Sequence, residues 1–335
     1  MSEELFDLEI GQIQKTIRKH NAQKVLVQLP EGLKPQASKL AEAIEKAGAQ
    51  AIISGDPCYG ACDLMIYEAE NLGVDLVIHY GHSEMIKPTK ARVPIAYFHA
   101  KAKIDIRPAV EKAVHLLKPW TKIGLATTIQ HVDQLEQAQK ILEKAQKTTL
   151  IGDTGYGKSP GQVLGCDYTN AKAVSDKVEA YLFIGGGRFH PLGLSLATMK
   201  PTVVADPFEN TAYTIEADVQ KTLQKRYANL KEAQKAQNFG ILIGLKPGQT
   251  NIQAATKIKT ELERNGKKAT LLALREITPA TLMQFPSFDA YVNTACPRIA
   301  IDEPSAFKKP VLTIAEAHIS LGKTRWEDLL KNGLL

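Results

Sequence analysis

Four cysteines carry the most specific chemistry in this sequence, and their spacing limits the sites that they can form. Cys58 and Cys62 lie four residues apart, Cys166 follows 104 residues later (166 − 62), and Cys296 another 130 residues later (296 − 166). Zinc ribbons and bacterial ferredoxins bind metal through paired C-x-x-C spacings, which this sequence lacks. Four cysteines also cannot cross-link a chain of 335 residues, so they indicate a reducing compartment and thiols that are buried, catalytic or metal-ligating.

Three of these cysteines follow apolar runs in successive thirds of the chain. Cys62 lies in GDPCYGACD, Cys166 in GQVLGCDYTN and Cys296 in NTACPRIAID. If three packed domains bring these loops together, three thiolates could hold three irons of a 4Fe–4S cluster and leave one iron open to substrate. The three cysteines do not occupy equivalent positions, because Cys296 follows the third run of its set and the other two cysteines follow the second. Four scattered buried thiols are the alternative.

A glycine-rich segment suggests a second kind of site. The stretch Gly152–Ser159 matches the phosphate-loop pattern G-x-x-x-x-G-K-[ST], and the run Thr202–Asp206 resembles the magnesium-binding strand of such enzymes. In a phosphate loop a helix must open directly after the lysine, so that its N–H groups meet the phosphates. Pro160 and Gly161 follow here instead, and both are poor helix formers. A loop that serves another ligand is therefore favoured.

Twelve short apolar runs alternate with amphipathic segments and form three sets of four. The runs begin at Lys24, Ala51, Leu76, Pro94, Lys122, Thr148, Ala180, Pro201, Phe239, Lys268, Asp289 and Pro310. They are continuously apolar, as in parallel strands buried on both faces. Between them, helical spacing occurs at Ala37–Ala47, at Leu135–Ala145 behind a predicted N-cap at Asp133, and at Ile252–Leu262.

This alternation predicts an α/β protein of three similar α/β/α domains, with four-stranded, mainly parallel sheets arranged around a pseudo-threefold axis. The predicted domains are residues 1–105, 106–212 and 213–335, with a connecting helix within 209–238. In open parallel sheets, ligands bind beyond the carboxyl ends of the strands, where the Gly, His, Asp and Cys residues of this chain are concentrated.

Charge and hydropathy exclude several classes of protein. The chain has 42 Lys and Arg residues against 36 Asp and Glu residues, a net charge of +6 that is spread evenly and includes no basic arm for nucleic acid. It has no apolar run long enough for a transmembrane helix, and its acidic start, MSEELFDLEI, is not a secretory signal. The sequence therefore predicts a cytoplasmic protein without nucleic-acid or membrane partners.

The cysteine-bearing segments resemble the diphthamide synthase family in its archaeal single-chain form. The matching segments are YGACD at Tyr59–Asp63, GQVLGCDY at Gly161–Tyr168 and NTACPRIAID at Asn293–Asp302, supported by QLPEGL, HYGHS and GGGRFHP. The resemblance extends over nearly the whole chain. It implies a homodimer of three-domain subunits, in which each domain gives one cysteine to a 4Fe–4S cluster. By motif position these ligands are Cys62, Cys166 and Cys296, and Cys58 has no implied ligand role.

The resemblance also implies an activity. In this family the reduced cluster cleaves S-adenosylmethionine to a 3-amino-3-carboxypropyl radical, which adds to C2 of a histidine imidazole in translation elongation factor 2. That is the first step of diphthamide biosynthesis, and it needs an external electron donor. The alternatives are a quinolinate synthase-like 4Fe–4S enzyme, because YVNT at Tyr291–Thr294 is similar to one of its motifs, and a binding protein with buried thiols.

Polar and glycine residues at other strand ends are the remaining site candidates. Glycine allows a backbone to approach a ligand closely, and arginine binds a carboxylate through two parallel hydrogen bonds. A turn or an interdomain ion pair is the structural alternative for each of them. The predicted cofactor-binding residues are Gln28, Glu31, His82, Gly186, Gly187, Arg188, His190 and Arg298.

Overall fold

The first parallel sheet lies in the N-terminal third of the chain. The computed structural model describes residues 5–86, 92–153, 155, 159–302 and 306–335. The strands of this third are β1 (Phe6–Asp7), β2 (Lys24–Gln28), β3 (Gln50–Ile53), β4 (Leu76–Tyr80), β5 (Ile95–Phe98) and β6 (Lys101–Ala102). Its helices are α1 (Ile10–Lys19), α2 (Ala37–Glu45) and α3 (Ile66–Leu72), with a 3-10 helix at Glu31–Gln36. The order β3-β2-β4-β5 is parallel throughout, and β1 pairs with β6 in a separate antiparallel ribbon.

The second sheet occupies the middle of the chain. Its strands are β7 (Lys122–Thr127), β8 (Thr148–Ile151), β9 (Ala180–Ile184), β10 (Thr202–Asp206) and β11 (Thr211–Thr214). The helices are α4 (Arg107–Leu116), α5 (Leu135–Lys144), α6 (Thr169–Lys172) and α7 (Phe189–Thr198), with 3-10 helices at Ile129–Gln134 and Ser175–Lys177. The order is β8-β7-β9-β10, all parallel, and β11 adds an antiparallel edge strand to β10.

The third sheet completes the repeat. Its strands are β12 (Asn238–Gly244), β13 (Lys268–Leu274), β14 (Ala290–Asn293) and β15 (Val311–Leu312), in the parallel order β13-β12-β14-β15. The helices are α8 (Glu216–Ala233), α9 (Ile252–Arg264), α10 (Pro279–Met283), α11 (Arg298–Ile301), α12 (Ile314–Ser320) and α13 (Trp326–Asn332). All three sheets thus place their first four strands in the order 2-1-3-4, which confirms the predicted α/β architecture.

Burial explains why these apolar runs form strands. Every residue of β4, β9 and β10 is buried, as expected for central parallel strands covered by helices on both faces. Each sheet has its own core between strands and amphipathic helices, such as the core that joins β12 and β14 to α9. Within the described residues, no helix is both long and apolar enough to cross a bilayer.

A carboxylate cap recurs at the same place in all three sheets. Asp75, directly before β4, accepts hydrogen bonds through Oδ2 from the backbone N–H groups of Gln23 (2.8 Å) and Lys24 (2.9 Å). Glu179 before β9 and Asp289 before β14 do the same at the starts of β7 and β12, over 2.7–3.0 Å. These N–H groups lower the pKa of all three carboxyls. An identical device at equivalent positions is structural evidence of an internal repeat.

The structure differs from the sequence-based expectations in two places. The chain enters α5 from a 3-10 turn in which the Leu135 N–H already bonds the Val132 carbonyl, so Asp133 is not the N-cap and instead pairs with Lys101. The antiparallel strands β1, β6 and β11 were also missed, because two to four residues carry too little periodicity. The three predicted domain ranges stay predictions, and the boundary predicted after residue 212 lies within β11.

Candidate functional site

A cavity of about 520 Å³ lies where loops from the three sheets meet. Each sheet contributes one cysteine to its wall: Cys62 follows β3, Cys166 follows β8 and Cys296 follows β14. The three thiols are partly exposed, whereas Cys58 is buried. The structure therefore brings together three cysteines from distant parts of the sequence. The volume of the cavity is typical of small-molecule sites.

The electrostatics of the three thiols suit a metal. Burial, together with the nearby Cys62 and Cys296 sulphurs, raises the pKa of Cys166 to about 12. Burial likewise raises the pKa of Cys296 to about 11 and that of Cys62 above its ordinary value. Three thiolates this close repel one another unless cations neutralise them. A soft metal centre supplies such charge and binds thiolate by preference.

The spacing of possible ligand atoms separates two kinds of metal site. In the part of the chain that the structure describes, three such atoms approach within 4.8 Å of one another at Cys58, His79 and His82 and not at the three cavity cysteines. Tetrahedral zinc, with Zn–S bonds of about 2.3 Å, would hold its sulphurs within about 4 Å of each other. The wider arrangement of Cys62, Cys166 and Cys296 fits a multi-iron cluster better than one ion.

The loop of residues 245–250, directly after β12, holds the Cys62 loop in place. The Gly248 N–H donates to the Cys62 carbonyl at 2.8 Å. A Cβ at Gly248 would lie 2.6 Å from both Cα and Cβ of Cys62, so only glycine permits this approach. The Gln249 Nε2 group donates to the Cys62 sulphur at 3.4 Å.

Lys246 of the same loop joins the first sheet to the third by charge. Its Nζ lies 3.0 Å from Asp63 and 2.9 Å from Glu276, and 3.9 Å from the ring centre of Tyr59. Burial opposes the charge of Lys246, but the hydrogen bonds to Glu276 and Asp63 outweigh it and raise the lysine pKa. This loop was not among the predicted site segments, although LKPGQT directly follows a strand and ligands bind beyond the carboxyl ends of parallel strands.

A hydrogen-bonded chain orients two histidines beside the cysteines. The Gln28 amide donates through Nε2 to the Asp63 carbonyl, so its Oε1 accepts from His79 Nδ1 at 3.0 Å. His79 Nε2 then accepts from His82 Nδ1, also at 3.0 Å. Burial lowers the pKa of His79 well below its usual range and that of His82 to about 4. Both rings are therefore neutral at physiological pH, and His82 lines the cavity.

The predicted cofactor-binding residues divide into two groups. His82, His190 and Arg298 line the cavity. Arg298 donates to the Phe189 carbonyl at 2.8 Å and pairs with Asp302, and burial lowers the pKa of His190 to about 3. The five described residues that lie off the cavity wall are Gln28, Glu31, Gly186, Gly187 and Arg188.

At least four of those five have partners elsewhere, and one of them is Gly187, whose N–H donates to Asp206 at 3.4 Å. Gln28 is buried and reaches the site only through His79. Glu31 pairs with Lys34, and Arg188 pairs with Asp218 on the surface. The roles predicted for all five stay predictions.

The phosphate-loop interpretation lacks its helix. Thr154 and residues 156–158, which include Lys158, lie outside the described residues. The described segment that follows, 159–168, contains turns and isolated bridges, and α6 begins only at Thr169. Residues 159–168, as far as the structure describes this segment, offer no helix N-terminus to a phosphate directly after the lysine position.

The buried neutral histidines predict a dependence of stability on pH. His79 has a lowered pKa in the folded state and a pKa of about 6.5 when unfolded, so the unfolded chain binds protons more readily. The stabilisation that comes from burying neutral His79 is complete above about pH 6.5, and it is lost as the pH falls toward the pKa of His79 in the folded state. Between about pH 7 and 5, we expect wild type to lose up to about 2 kcal/mol more unfolding free energy than His79→Gln. Urea denaturation of both apoproteins measures this, and equal losses would contradict it.

Comparisons with known proteins agree with this site. The diphthamide synthesis protein family model matches residues 29–330. The 2-(3-amino-3-carboxypropyl)histidine synthase of Pyrococcus horikoshii is 37% identical, over 95% of this chain and 91% of that protein. The human 2-(3-amino-3-carboxypropyl)histidine synthase subunit 1 is 30% identical, over 96% of this chain and 73% of that subunit. The crystal structure of Pyrococcus horikoshii Dph2 with a 4Fe–4S cluster superposes with a TM-score of 0.87 at 36% identity, covering 96% of this chain and 92% of that one.

Proposed function

The chain belongs to the diphthamide synthesis protein family, and on that premise we propose that it is a transferase acting on a histidine side chain. The group transferred is 3-amino-3-carboxypropyl, its source is S-adenosylmethionine, and its acceptor is C2 of a histidine imidazole in translation elongation factor 2. The observation that carries this proposal is the convergence of Cys62, Cys166 and Cys296 on one cavity.

The three cysteines would hold a 4Fe–4S cluster as thiolates, one from each sheet. Three protein ligands leave one iron without a side-chain ligand, which gives a co-substrate a place to bind. The chemistry that such a cluster supplies is one-electron reduction of the sulfonium of S-adenosylmethionine, which releases the 3-amino-3-carboxypropyl radical and methylthioadenosine.

The residues around the cysteines keep this site assembled. Lys246 bridges Asp63 of the first unit and Glu276 of the third, so the Cys62 loop keeps its position relative to the Cys296 loop. The apolar side chains of Ile129, Val163 and Leu164 form part of the cavity wall. Such a lining excludes water from a reactive intermediate.

For S-adenosylmethionine, we propose contacts from the three predicted residues that line the cavity. His82 and His190 are neutral, and each can accept or donate one hydrogen bond without adding charge. Arg298 brings positive charge to the same wall, where it favours a carboxylate. A homodimer, an external one-electron donor and a cytoplasmic location complete the proposal, all three from the family resemblance.

The test is transfer of label to protein. The chain is reconstituted anaerobically with iron and sulfide, reduced with dithionite, and mixed with carboxyl-labelled S-adenosylmethionine and archaeal elongation factor 2. We expect label on the factor, and none when the target histidine of the factor is replaced. A loaded cluster that responds to S-adenosylmethionine without labelling the factor would overturn the acceptor assignment. A chain that binds no iron would overturn the cluster and the activity together.

A further inference from the structure

We propose that Gln249 tunes the reduction potential of the cluster by donating a hydrogen bond to the sulphur of Cys62. The inference rests on the proposed function, because it takes Cys62 as a cluster ligand. Its basis is the 3.4 Å distance between Gln249 Nε2 and Cys62 Sγ on the wall of the cavity. Hydrogen bonds to cluster sulphurs are among the main means by which a protein sets the potential of an iron–sulfur centre.

The three cysteines are not equivalent in this respect. Within the described residues, Gln249 is the side chain that donates a hydrogen bond to a cavity cysteine. Backbone N–H groups approach all three cavity sulphurs, so the side-chain donor is what distinguishes Cys62. The cysteine of the first sheet, Cys62, thus accepts a hydrogen bond from a side chain of the third sheet, and a substitution of Gln249 can remove that bond.

The Gln249 side chain starts from a backbone that is already fixed. Its N–H donates to the Lys246 carbonyl at 2.9 Å, which closes a turn. The Thr250 hydroxyl donates to the Gly244 and Lys246 carbonyls at 2.8 and 3.1 Å. Gly248 is pressed against Cys62 from the same turn. A donor held this firmly costs little reorganisation when charge at the sulphur changes.

The local charges make this neutral donor important. Lys246 pairs with the carboxylates of both Asp63, the residue directly after Cys62, and Glu276, so two acidic side chains face one basic side chain on this side of the cavity. With one basic and two acidic side chains, these charges do not favour the addition of an electron to the cluster. Reduction adds negative charge that spreads onto the ligand sulphurs, and the positive end of an N–H dipole stabilises it there. The Gln249 donor should therefore raise the midpoint potential and make the cluster easier to reduce.

The test is a potentiometric titration of reconstituted protein, followed by the electron paramagnetic resonance signal of the reduced cluster. We compare wild type, Gln249→Leu, Gln249→Glu and Gln130→Leu, with iron and sulfide content measured for each. Gln130 is the matched control, because it lines the same cavity but donates to the Gly81 carbonyl. We expect a lower midpoint in Gln249→Leu, a still lower one in Gln249→Glu because of its negative charge, and no shift in Gln130→Leu.

The outcomes distinguish this inference from the proposed function. A Gln249→Leu protein with full iron and an unshifted or raised midpoint overturns the role of Gln249 and leaves the cluster assignment intact. If Gln249→Leu loses iron, Gln249→Glu, which has nearly the same size, decides by the same criterion. Wild-type protein that binds no cluster would instead defeat the proposed function.

Discussion

Replacing Cys166 with alanine is expected to abolish both cluster retention and label transfer. Cys166 is the cavity cysteine whose pKa both other cavity thiols raise, so it lies close to each of them. Its loss leaves two thiolates from two different sheets, which cannot hold three irons. Iron and acid-labile sulfide per chain after anaerobic reconstitution measure the first effect, and label on elongation factor 2 measures the second. The same result is expected for Cys62→Ala and Cys296→Ala.

Cys58→Ala is the matched control for this prediction. Cys58 is only four residues from Cys62, but its side chain is buried and its sulphur faces His79 and His82. Burial raises the pKa of its thiol to about 12, as it does for Cys166, so the two differ in position: Cys58 is absent from the cavity wall that Cys62, Cys166 and Cys296 line. We expect Cys58→Ala to retain full iron. A Cys166→Ala protein with full iron and activity, or a Cys58→Ala protein without iron, would refute the ligand assignment.

Replacing Arg226 with methionine should cost about 3–5 kcal/mol of unfolding free energy, because it leaves the buried carboxylate of Glu316 unpaired. Both side chains are almost fully buried, at 0% and 1% exposure. Arg226 Nε donates to Glu316 at 2.8 Å, and its two other nitrogens donate to the Ala300 and Val311 carbonyls at 2.6 and 2.8 Å. One side chain of α8 thus ties together α11, β15 and α12.

Urea denaturation of apoproteins followed by circular dichroism measures this loss. Arg188→Met is the control, because Arg188 pairs with Asp218 on the surface at 61% exposure and should change stability by less than about 1 kcal/mol. The double variant Arg226→Met/Glu316→Leu should recover a large part of the loss, since no unpaired charge remains. A similar small effect for Arg226→Met and Arg188→Met would show that the buried pair contributes no more than a surface pair.

Much of the fold could be predicted, because strands buried on both faces of a parallel sheet appear in the sequence as continuous apolar runs. All twelve predicted runs form strands, and the helix predicted within 209–238 is α8. The antiparallel strands β1, β6 and β11 could not be predicted, because their pairing depends on partners far along the chain. Asp133 shows the same limit locally: its residue type suits an N-cap, but a 3-10 turn upstream already supplies the hydrogen bond.

The site was predictable to the extent that it depends on residue type. Three cysteines in recognisable motifs are visible in the sequence, and the structure places them on one cavity. Lys246 and Gln249 were missed, because a lysine and a glutamine in a loop carry no signal until the loop packs against Cys62. Conversely, Arg188 looked like a ligand-binding residue by type, and the structure places it in a surface ion pair.

The parallel strands, several of the helices and the identity of the thiols could be predicted from the sequence alone, because hydrophobic period and residue chemistry are local properties. Which of the cysteines lie together on the cavity wall depends on the tertiary structure. Cys58 and Cys62 are neighbours in the chain, yet one faces two histidines and the other faces thiols 104 and 234 residues away (166 − 62 and 296 − 62). Side-chain direction at a loop depends on the packing of the three sheets against one another, and that packing is a sum of many contacts between residues distant in the chain.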